Sequence, residues 1–319
     1  MTETIQSIVK EIRGGSSFLL TSHESPDGDA VGSTLALASF LRRIGKDVHI
    51  HFRDPVPELY SFLPGADTVL DTIPDQQFDV SFVLDIGELR RAGETFCGFT
   101  RFHKRINLDH HLGCALFGDH NLIDSTAAAT GVLVYRIASA YGYEIDPETA
   151  LCLYVAVITD TGSFRYSNAN KEAFNVAGEM IERGVNAWDV AEQLYENQPR
   201  KRLELLARCL PTLDFFARGQ AASVTVTLDM YAATGADAEL TDGFVNYPRS
   251  IQGVEVSIFF RQLADRKWKI GFRSKGKVNV AAFSKALGGG GHHNAAGCTL
   301  DGSYDEIRAQ VRGIVEGSL

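Results

Sequence analysis

Apolar runs separated by polar turns predict alternating helices and strands through the first half of the chain. Ile5, Ile8, Val9 and Ile12 recur at helical spacing, which predicts a helix over residues 3–13. Further helices are predicted at 33–44, 128–142, 147–158 and 170–183. Short apolar runs predict strands at 18–22, 47–52, 79–84 and 106–108. This alternation is typical of an α/β fold in which helices cover both faces of a parallel sheet.

The pattern changes near residue 185. Residues 186–211 predict a helix, a break at Gln198 and Pro199, and a second helix, which we interpret as a connector. Beyond it, alternating strands with helices near 279–287 and 304–318 predict a smaller α+β domain. We therefore expect a parallel-sheet domain over 1–185, a helical connector over 186–211 and a second domain over 212–319. The expected active site lies in the cleft between the two domains.

The composition fits a globular protein large enough for two domains. The chain has 319 residues, of which 45% are hydrophobic and 22% are charged. The N-terminal stretch MTETIQSIVKEI lacks the apolar core of a signal peptide, and no run reaches about 18 apolar residues. Five scattered cysteines without a C-x-x-C pair suit reduced thiols. These features predict a cytoplasmic protein without a membrane partner.

The net charge of −9 limits the class of nucleic-acid partner. A long duplex bound through many phosphates needs a basic face, so we expect no such partner. A short oligonucleotide stays compatible, since it needs few cationic contacts and bound divalent ions would offset several carboxylates.

Acidic and histidine side chains follow four apolar segments of the first domain. The groups are His23, Asp27 and Asp29 after FLLTS, Asp85 after VSFVL, Asp109, His110 and His111 after RINL, and Asp160 after LYVAVIT. Ligands of parallel sheets bind at the carboxyl ends of the strands, so we expect these side chains to converge at one edge. Carboxylates brought close together repel one another, and divalent cations relieve that repulsion. Asp and His ligands without Cys favour Mn, Mg, Zn or Fe, and this number of ligands suits two ions that share a carboxylate.

Each segment alone has a simpler interpretation. HESPDGDAVGS could be a polar loop with Asp29 near a helix N-terminus, where the helix dipole favours a negative charge. Asp85 and Asp160 could cap the ends of elements, and DHH could be a surface turn. The occurrence of all four segments in one α/β half favours the metal site.

Four motifs resemble those of the DHH phosphoesterase superfamily, and the resemblance covers the whole chain. They are H-x-x-x-D-G-D, the isolated Asp after an apolar strand, D-H-H and the Asp of ITDTGSF. The later stretch GGGGHHNAAG, residues 288–297, resembles the glycine-rich signature of the DHH-associated substrate domain. Within the superfamily the chain is most similar to the bacterial bifunctional oligoribonucleases and 3′-phosphoadenosine-5′-phosphate phosphatases, the nanoRNase family.

The resemblance implies a role for each residue of the cluster. His23 and Asp27 would hold one Mn ion, Asp29, His110 and Asp160 a second, and Asp85 would bridge the two. His111 would face the substrate phosphate as a catalytic residue, with Asp109 orienting its neighbours.

Substrate contacts are expected in the second domain. Arg273 follows the apolar strand KWKIGF and is the first candidate for a phosphate clamp, with Ser274 and, more weakly, Lys275 beside it. The resemblance adds Gly289, Gly290, Gly291 and His292 as a phosphate- or base-binding loop. Taken alone, the glycine run would be a flexible loop and Arg273 a solvated charge.

The function implied by the resemblance is hydrolysis of short oligoribonucleotides to mononucleotides and of 3′-phosphoadenosine 5′-phosphate to AMP. Two Mn²⁺ ions would supply an activated hydroxide that attacks the phosphorus directly. Two alternatives stay open: a phosphodiesterase acting on pApA, pGpG or cyclic dinucleotides, and a non-catalytic nucleotide-binding module. The sequence also leaves open whether the protein is a homodimer.

Overall fold

The first half of the chain forms a six-stranded parallel sheet, as the alternating pattern predicts. The computed structural model describes residues 1–319 apart from the side chain of His292, and the chain divides into units Met1–Asn197 and Gln198–Leu319. The unit boundary lies inside the predicted connector 186–211, and the predicted domain limits stay a prediction. Each helix of the described chain is too short or too polar to cross a bilayer.

The strands of the first unit are β1 Ser17–Thr21, β2 Asp47–His51, β3 Val69–Leu70, β4 Phe78–Leu84, β5 Phe102–Asp109 and β6 His120–Ile123. Their spatial order is β3-β2-β1-β4-β5-β6, and every neighbouring pair is parallel. The chain moves from β1 outward to β2 and β3, and then returns to place β4 on the other side of β1. This order makes the β1–β4 junction a topological switch point, where parallel sheets commonly bind ligands.

The helices of this unit are α1 Thr2–Gly14, α2 Gly28–Arg43, α3 Glu94–Gly98, α4 Thr130–Tyr141, α5 Pro147–Asp160, α6 Lys171–Glu182 and α7 Ala187–Ala191. The sheet and helices enclose a continuous apolar core that includes the fully buried rings of Phe18, Phe40 and Phe82. Burying each of these side chains contributes about 2–3 kcal/mol to folding. The predicted α/β class with a parallel sheet is therefore confirmed.

Helix α2 begins earlier than the sequence pattern predicts. The expected start was residue 33, but the helix begins at Gly28 because Asp27 caps its N-terminus. Asp27 Oδ1 accepts hydrogen bonds from the backbone N–H groups of Asp29 and Ala30, at 3.1 and 3.0 Å. Asp29 consequently sits in the first helical turn rather than in a loop.

The second unit contains a mixed sheet and five helices. Its strands are β7 Asp214–Phe216, β8 Ala221–Val226, β9 Val256–Ala264, β10 Lys267–Ser274, β11 Gly290–His292 and β12 Ala295–Asp301, in the order β11-β12-β10-β9-β8-β7. Only β8 and β9 are parallel among the described pairs. The helices are α8 Arg200–Cys209, α9 Leu228–Thr234, α10 Asn246–Ser250, α11 Val280–Ala286 and α12 Tyr304–Glu316. The sequence predicted α11 and α12 closely and missed the short helices α9 and α10.

Candidate functional site

The acidic and histidine side chains predicted from the sequence meet at the carboxyl ends of the three central strands. His23 lies two residues beyond β1, Asp85 directly follows β4, and Asp109 is the last residue of β5. Asp160 reaches the same cluster from the end of helix α5 rather than from a strand. The strand order therefore places β1 and β4, which carry the first two residues, side by side at the switch point.

The first group consists of His23, Asp27 and Asp85. His23 Nε2 lies 3.9 Å from Asp27 Oδ1 and 3.5 Å from Asp85 Oδ2. His23 Nδ1 lies 2.8 Å from the carbonyl oxygen of Glu24, which can only accept, so Nδ1 carries the proton. The Nε2 lone pair of the neutral ring is thereby aimed at the two carboxylates, as in a histidine that binds a metal.

The second group consists of Asp29, His110 and Asp160. His110 Nε2 lies 3.7 Å from both Asp29 Oδ2 and Asp160 Oδ2, and its Nδ1 faces the Ala127 carbonyl oxygen at 3.2 Å. The ring is therefore fixed in the same tautomer as His23. A cation placed among these atoms would have two carboxylate oxygens and one imidazole nitrogen as ligands.

Asp85 links the groups. Its Oδ1 lies 3.6 Å from His110 Nε2 and 3.5 Å from His111 Nδ1, while its Oδ2 faces His23. The three sets His23–Asp27–Asp85, Asp29–His110–Asp160 and Asp85–His110–His111 each bring their ligand atoms within 4.8 Å of one another. Asp85 also has a left-handed backbone with φ of 60°, an unfavourable conformation for a residue with a side chain.

The electrostatics of the site show an excess of close, buried carboxylates. Burial and the neighbouring charges of Asp85, Asp160 and Asp27 raise the pKa of Asp29 well above its ordinary value. Burial also raises the pKa of Asp160 to about 7, with Asp27 and Asp85 adding to the shift and His110 opposing it. These shifts favour the protonated carboxyl groups until cations take the place of the protons.

In Asp85 and His23, by contrast, the surroundings favour the charged form of the side chain. Burial disfavours the charge on Asp85, yet the three surrounding histidines outweigh it and hold the pKa of Asp85 below its ordinary value. Burial likewise disfavours a charged His23, and the hydrogen bond to Asp85 with the charge of Asp27 outweighs it, so the pKa of His23 is raised. The centre of the cluster is thus an ionised carboxylate surrounded by imidazoles.

Asp109 and His111 form a separate pair beside the cluster. Asp109 is fully buried, and its Oδ1 lies 2.6 Å from His111 Nδ1. Burial opposes the charge on His111, but Asp109 and Asp85 outweigh it and raise the pKa of His111 to about 9. Asp109 therefore fixes the orientation of His111 and favours its protonated form.

Three further residues hold the cluster and were not predicted from the sequence. The backbone N–H groups of Thr130 and Gly131, at the start of α4, donate to the two oxygens of Asp29 at 2.6 and 3.0 Å. Thr130 Oγ1 donates to Asp85 Oδ1 at 3.1 Å, and Asn168 Nδ2 donates to Asp160 Oδ2 at 3.0 Å. The contacts from Thr130 and Gly131 to Asp29 use backbone N–H groups, so no side chain in the sequence marks them. For the contact with Asp160, the only sequence signal was Asn168 in RYSNAN.

The donor set fits divalent cations. It contains carboxylate oxygens and imidazole nitrogens without thiolate, and the raised pKa values of Asp29 and Asp160 mark negative charge that the protein alone does not compensate. Asp85 and His110 each belong to two of the three groups, so neighbouring cations could share ligands.

The candidate substrate residues lie in the second unit. Arg273 and Ser274 end β10, where the Ser274 hydroxyl donates to Asn294 Oδ1 at 3.0 Å. The second half of the glycine run, Gly290 and Gly291, lies in strand β11 and pairs with β12 rather than forming a loop. A Cβ on Gly289 would lie 2.4 Å from the Gly297 carbonyl oxygen, and one on Gly291 would lie 2.4 Å from Ala296 Cα. Close strand packing therefore explains these two glycines.

A Cβ on Gly290 would meet no atom within 4 Å. Packing therefore does not require glycine at this position, and the predicted role of Gly290 in a binding loop stays a prediction. The side chain of His292 lies outside the described residues, so its predicted role stays a prediction.

Comparison with known proteins agrees with the motifs. Residues 17–157 match the DHH family N-terminal domain and residues 222–317 match the DHHA1 domain. The chain is 31% identical to the bifunctional oligoribonuclease and PAP phosphatase NrnA of Thermus thermophilus, over 97% of this chain and 92% of the relative. Its identity to the protein of the same name from Bacillus subtilis is 26%, covering 94% of each chain.

Among solved structures, an exopolyphosphatase-related protein from Bacteroides fragilis superposes with a TM-score of 0.92 at 27% identity, covering 99% of this chain and 97% of that one. The matched domains, the full-length relatives and the fold agree with one another. The chain belongs to the DHH family and carries a DHHA1 domain in its second half.

Proposed function

We propose that this protein is a divalent-metal-dependent phosphoesterase that hydrolyses short oligoribonucleotides to mononucleotides and 3′-phosphoadenosine 5′-phosphate to AMP. The observation that carries the proposal is the set of three carboxylate–histidine groups linked by Asp85 and His110. The names of the two full-length relatives support the choice of substrates.

The proposed ligands follow from the groups. His23 and Asp27 hold one cation, Asp29, His110 and Asp160 hold the other, and Asp85 serves both. Mn²⁺ is the proposed ion because oxygen and imidazole donors without thiolate suit it. When bound, two such cations would neutralise phosphate oxygens and lower the pKa of an attacking water.

The side chains of this protein supply orientation and proton transfer. The Glu24 and Ala127 carbonyl oxygens keep His23 and His110 in the tautomer whose Nε2 faces the carboxylates. Asp109 holds the Nδ1 proton of His111 and favours the imidazolium. Protonated His111 is the proposed donor of a proton to the leaving ribose oxygen.

The DHHA1 domain is the proposed source of substrate contacts. Arg273 and Ser274 lie together at the end of β10. Arg273 pairs with Ala295 of β12, which pairs on its other side with His292 of β11, two residues after Gly290. An arginine fork suits a phosphate group of a short nucleotide, and an open glycine permits close approach of the chain to it. We assign the metal-binding role to residues 1–185 and the substrate-binding role to residues 212–319, joined by the 186–211 connector.

A substrate panel tests the proposal. Metal-free protein receives Mn²⁺, Mg²⁺ or Co²⁺ with di- to pentaribonucleotides, 3′-phosphoadenosine 5′-phosphate, pApA, pGpG and cyclic di-AMP. We expect mononucleotides from the short RNAs and AMP from the bisphosphate, and no turnover by Asp85→Asn at unchanged thermal stability. Preferential turnover of cyclic di-AMP would replace the proposed substrate, and nucleotide binding without turnover with all three metals would refute an enzymatic role.

A further inference from the structure

Arg91 lies beside the His23–Asp27–Asp85 group, in a short 3₁₀ turn, Leu89–Ala92, that follows β4 and Asp85. Fully buried Ala92 anchors this turn in the core. The backbone N–H of Glu24 donates to the Arg91 carbonyl oxygen at 2.7 Å, which ties the turn to the residue next to His23. Arg91 is therefore held in place by backbone contacts rather than by its own side chain.

The Arg91 guanidinium has no partner among the residues that the structure describes. The two glutamates whose backbones contact Arg91 pair elsewhere, Glu24 with Arg53 and Glu88 with Arg90. Within residues 1–319 as the structure describes them, the guanidinium makes neither an ion pair nor a hydrogen bond. The backbone contact with Glu24 nevertheless places Arg91 beside the residue that follows His23.

An unpaired guanidinium next to a centre that would itself hold cations favours the binding of an anion. The four carboxylates of the centre, Asp27, Asp29, Asp85 and Asp160, would balance two divalent ions, and the charge of Arg91 would be left over. A surplus of positive charge at such a centre attracts an anionic ligand. The planar guanidinium fork can donate two hydrogen bonds to two phosphate oxygens. The carboxylates of the pocket carry the same charge as a phosphate and would repel it.

We propose that Arg91 binds a phosphate group of the substrate at the His23–Asp27–Asp85 group. The inference rests on the proposed function for the identity of the ligand. It adds a phosphate-binding residue from the metal-binding unit to the contacts expected from the second domain. Lysine at this position would keep the charge and lose the paired hydrogen bonds.

Arg90 provides a matched control in the same turn. Its side chain is 82% exposed and pairs with Glu88, so it is a solvated surface charge. Arg91→Ala and Arg90→Ala remove the same type of side chain from adjacent positions, and both leave the backbone contact between residues 24 and 91 intact. A difference between the two variants therefore reports on the location of the guanidinium.

The experiment measures binding of inorganic phosphate to the Mn²⁺-loaded protein by calorimetry, together with Mn²⁺ affinity and thermal stability of each variant. We expect Arg91→Ala to weaken phosphate binding roughly 10- to 100-fold, Arg91→Lys to be intermediate and Arg90→Ala to stay within about twofold of wild type. Mn²⁺ affinity and stability should be unchanged in all three.

Unchanged phosphate binding by Arg91→Ala would overturn the proposal, and so would an equal loss in Arg90→Ala or a parallel loss of Mn²⁺. Turnover of the substrate panel separates this result from the proposed function. An inactive wild type whose phosphate binding depends on Arg91 would refute the function and retain the site. An active wild type, with phosphate binding unchanged in Arg91→Ala, would support the proposed function and refute the Arg91 site.

Discussion

Gly32 sits where helices α2 and α5 pack closely, and its replacement by alanine should destabilise the protein. A Cβ at this position would lie 2.6 Å from the Cys152 carbonyl oxygen and 2.9 Å from the Ala156 backbone nitrogen. Backbone atoms of a helix cannot rotate away as side chains can, so the two helices must separate. This contact also sets the site, because α2 carries Asp29 and α5 ends at Asp160.

The magnitude follows from opposing effects. Alanine is favoured over glycine in a helix by about 1 kcal/mol, and a buried methyl group adds about 0.8 kcal/mol. The contact at 2.6 Å is far shorter than the 3.4 Å at which ordinary contacts begin. Overpacking typically costs about 1–3 kcal/mol, and a clash with backbone lies at or above the upper end. We expect a net loss of about 1–2 kcal/mol for Gly32→Ala.

Gly178→Ala is the matched control, since Gly178 lies in helix α6 and a Cβ there would meet no atom within 4 Å. It should raise the free energy of unfolding by about 0.5–1 kcal/mol through helix propensity alone. Urea unfolding at constant pH measures both variants against wild type. Equal or greater stability of Gly32→Ala would refute the close-packing argument, because the two substitutions would then act alike.

Three further predictions concern the site and the glycine strand. Burial raises the pKa of Asp160 to about 7, so below that pH a cation must displace its proton. Mn²⁺ affinity should therefore fall about fivefold between pH 7 and pH 6 through this proton; calorimetry at both pH values measures it, and a flat profile would contradict it. Asn168→Leu should weaken Mn²⁺ binding about 10-fold in the same assay, because it removes the hydrogen bond that orients Asp160. Gly291→Ala should lower the melting temperature, since φ is +135° and a Cβ would clash with β12, whereas Gly290→Ala should leave it unchanged; equal melting temperatures would refute this assignment.

The sequence predicted the sheet and the site well because both depend on patterns that are local in the chain. Buried parallel strands read as short apolar runs, and the polar residues after each run mark the sheet edge. His23, Asp85 and His110 met as expected for that reason. The strands β3 and β6 were missed because two and four residues are too short to produce a recognisable period.

The start of α2 was misplaced because Asp27, a candidate ligand, also caps the helix. We interpreted it only as a ligand, whereas the same carboxylate caps the helix and brings Asp29 into the first turn. Gly28 begins the same helix, and a Cβ there would lie 2.4 Å from the Thr159 hydroxyl oxygen. That glycine reflects tight packing between elements distant in sequence, which no local pattern reveals.

The contacts that hold the ligands in place were unpredictable for the same reason. Thr130 and Gly131 bind Asp29 through backbone N–H groups, which every residue possesses. Asn168 reaches Asp160 only because the chain turns sharply after α5, where Gly162, Ser163 and Phe164 all have φ between 56° and 60°. Consecutive left-handed residues of this kind have no dependable signature in a single sequence.

The number of Mn²⁺ ions bound per chain tests the central claim most directly. Metal-free protein is titrated with Mn²⁺ while electron paramagnetic resonance measures the free ion, for wild type and for Asp160→Asn. The account predicts two ions per wild-type chain and the loss of one site in the variant, because Asp160 belongs to only one of the carboxylate–histidine groups. Fewer than two ions on the wild-type chain, or two undisturbed sites in Asp160→Asn, would contradict it.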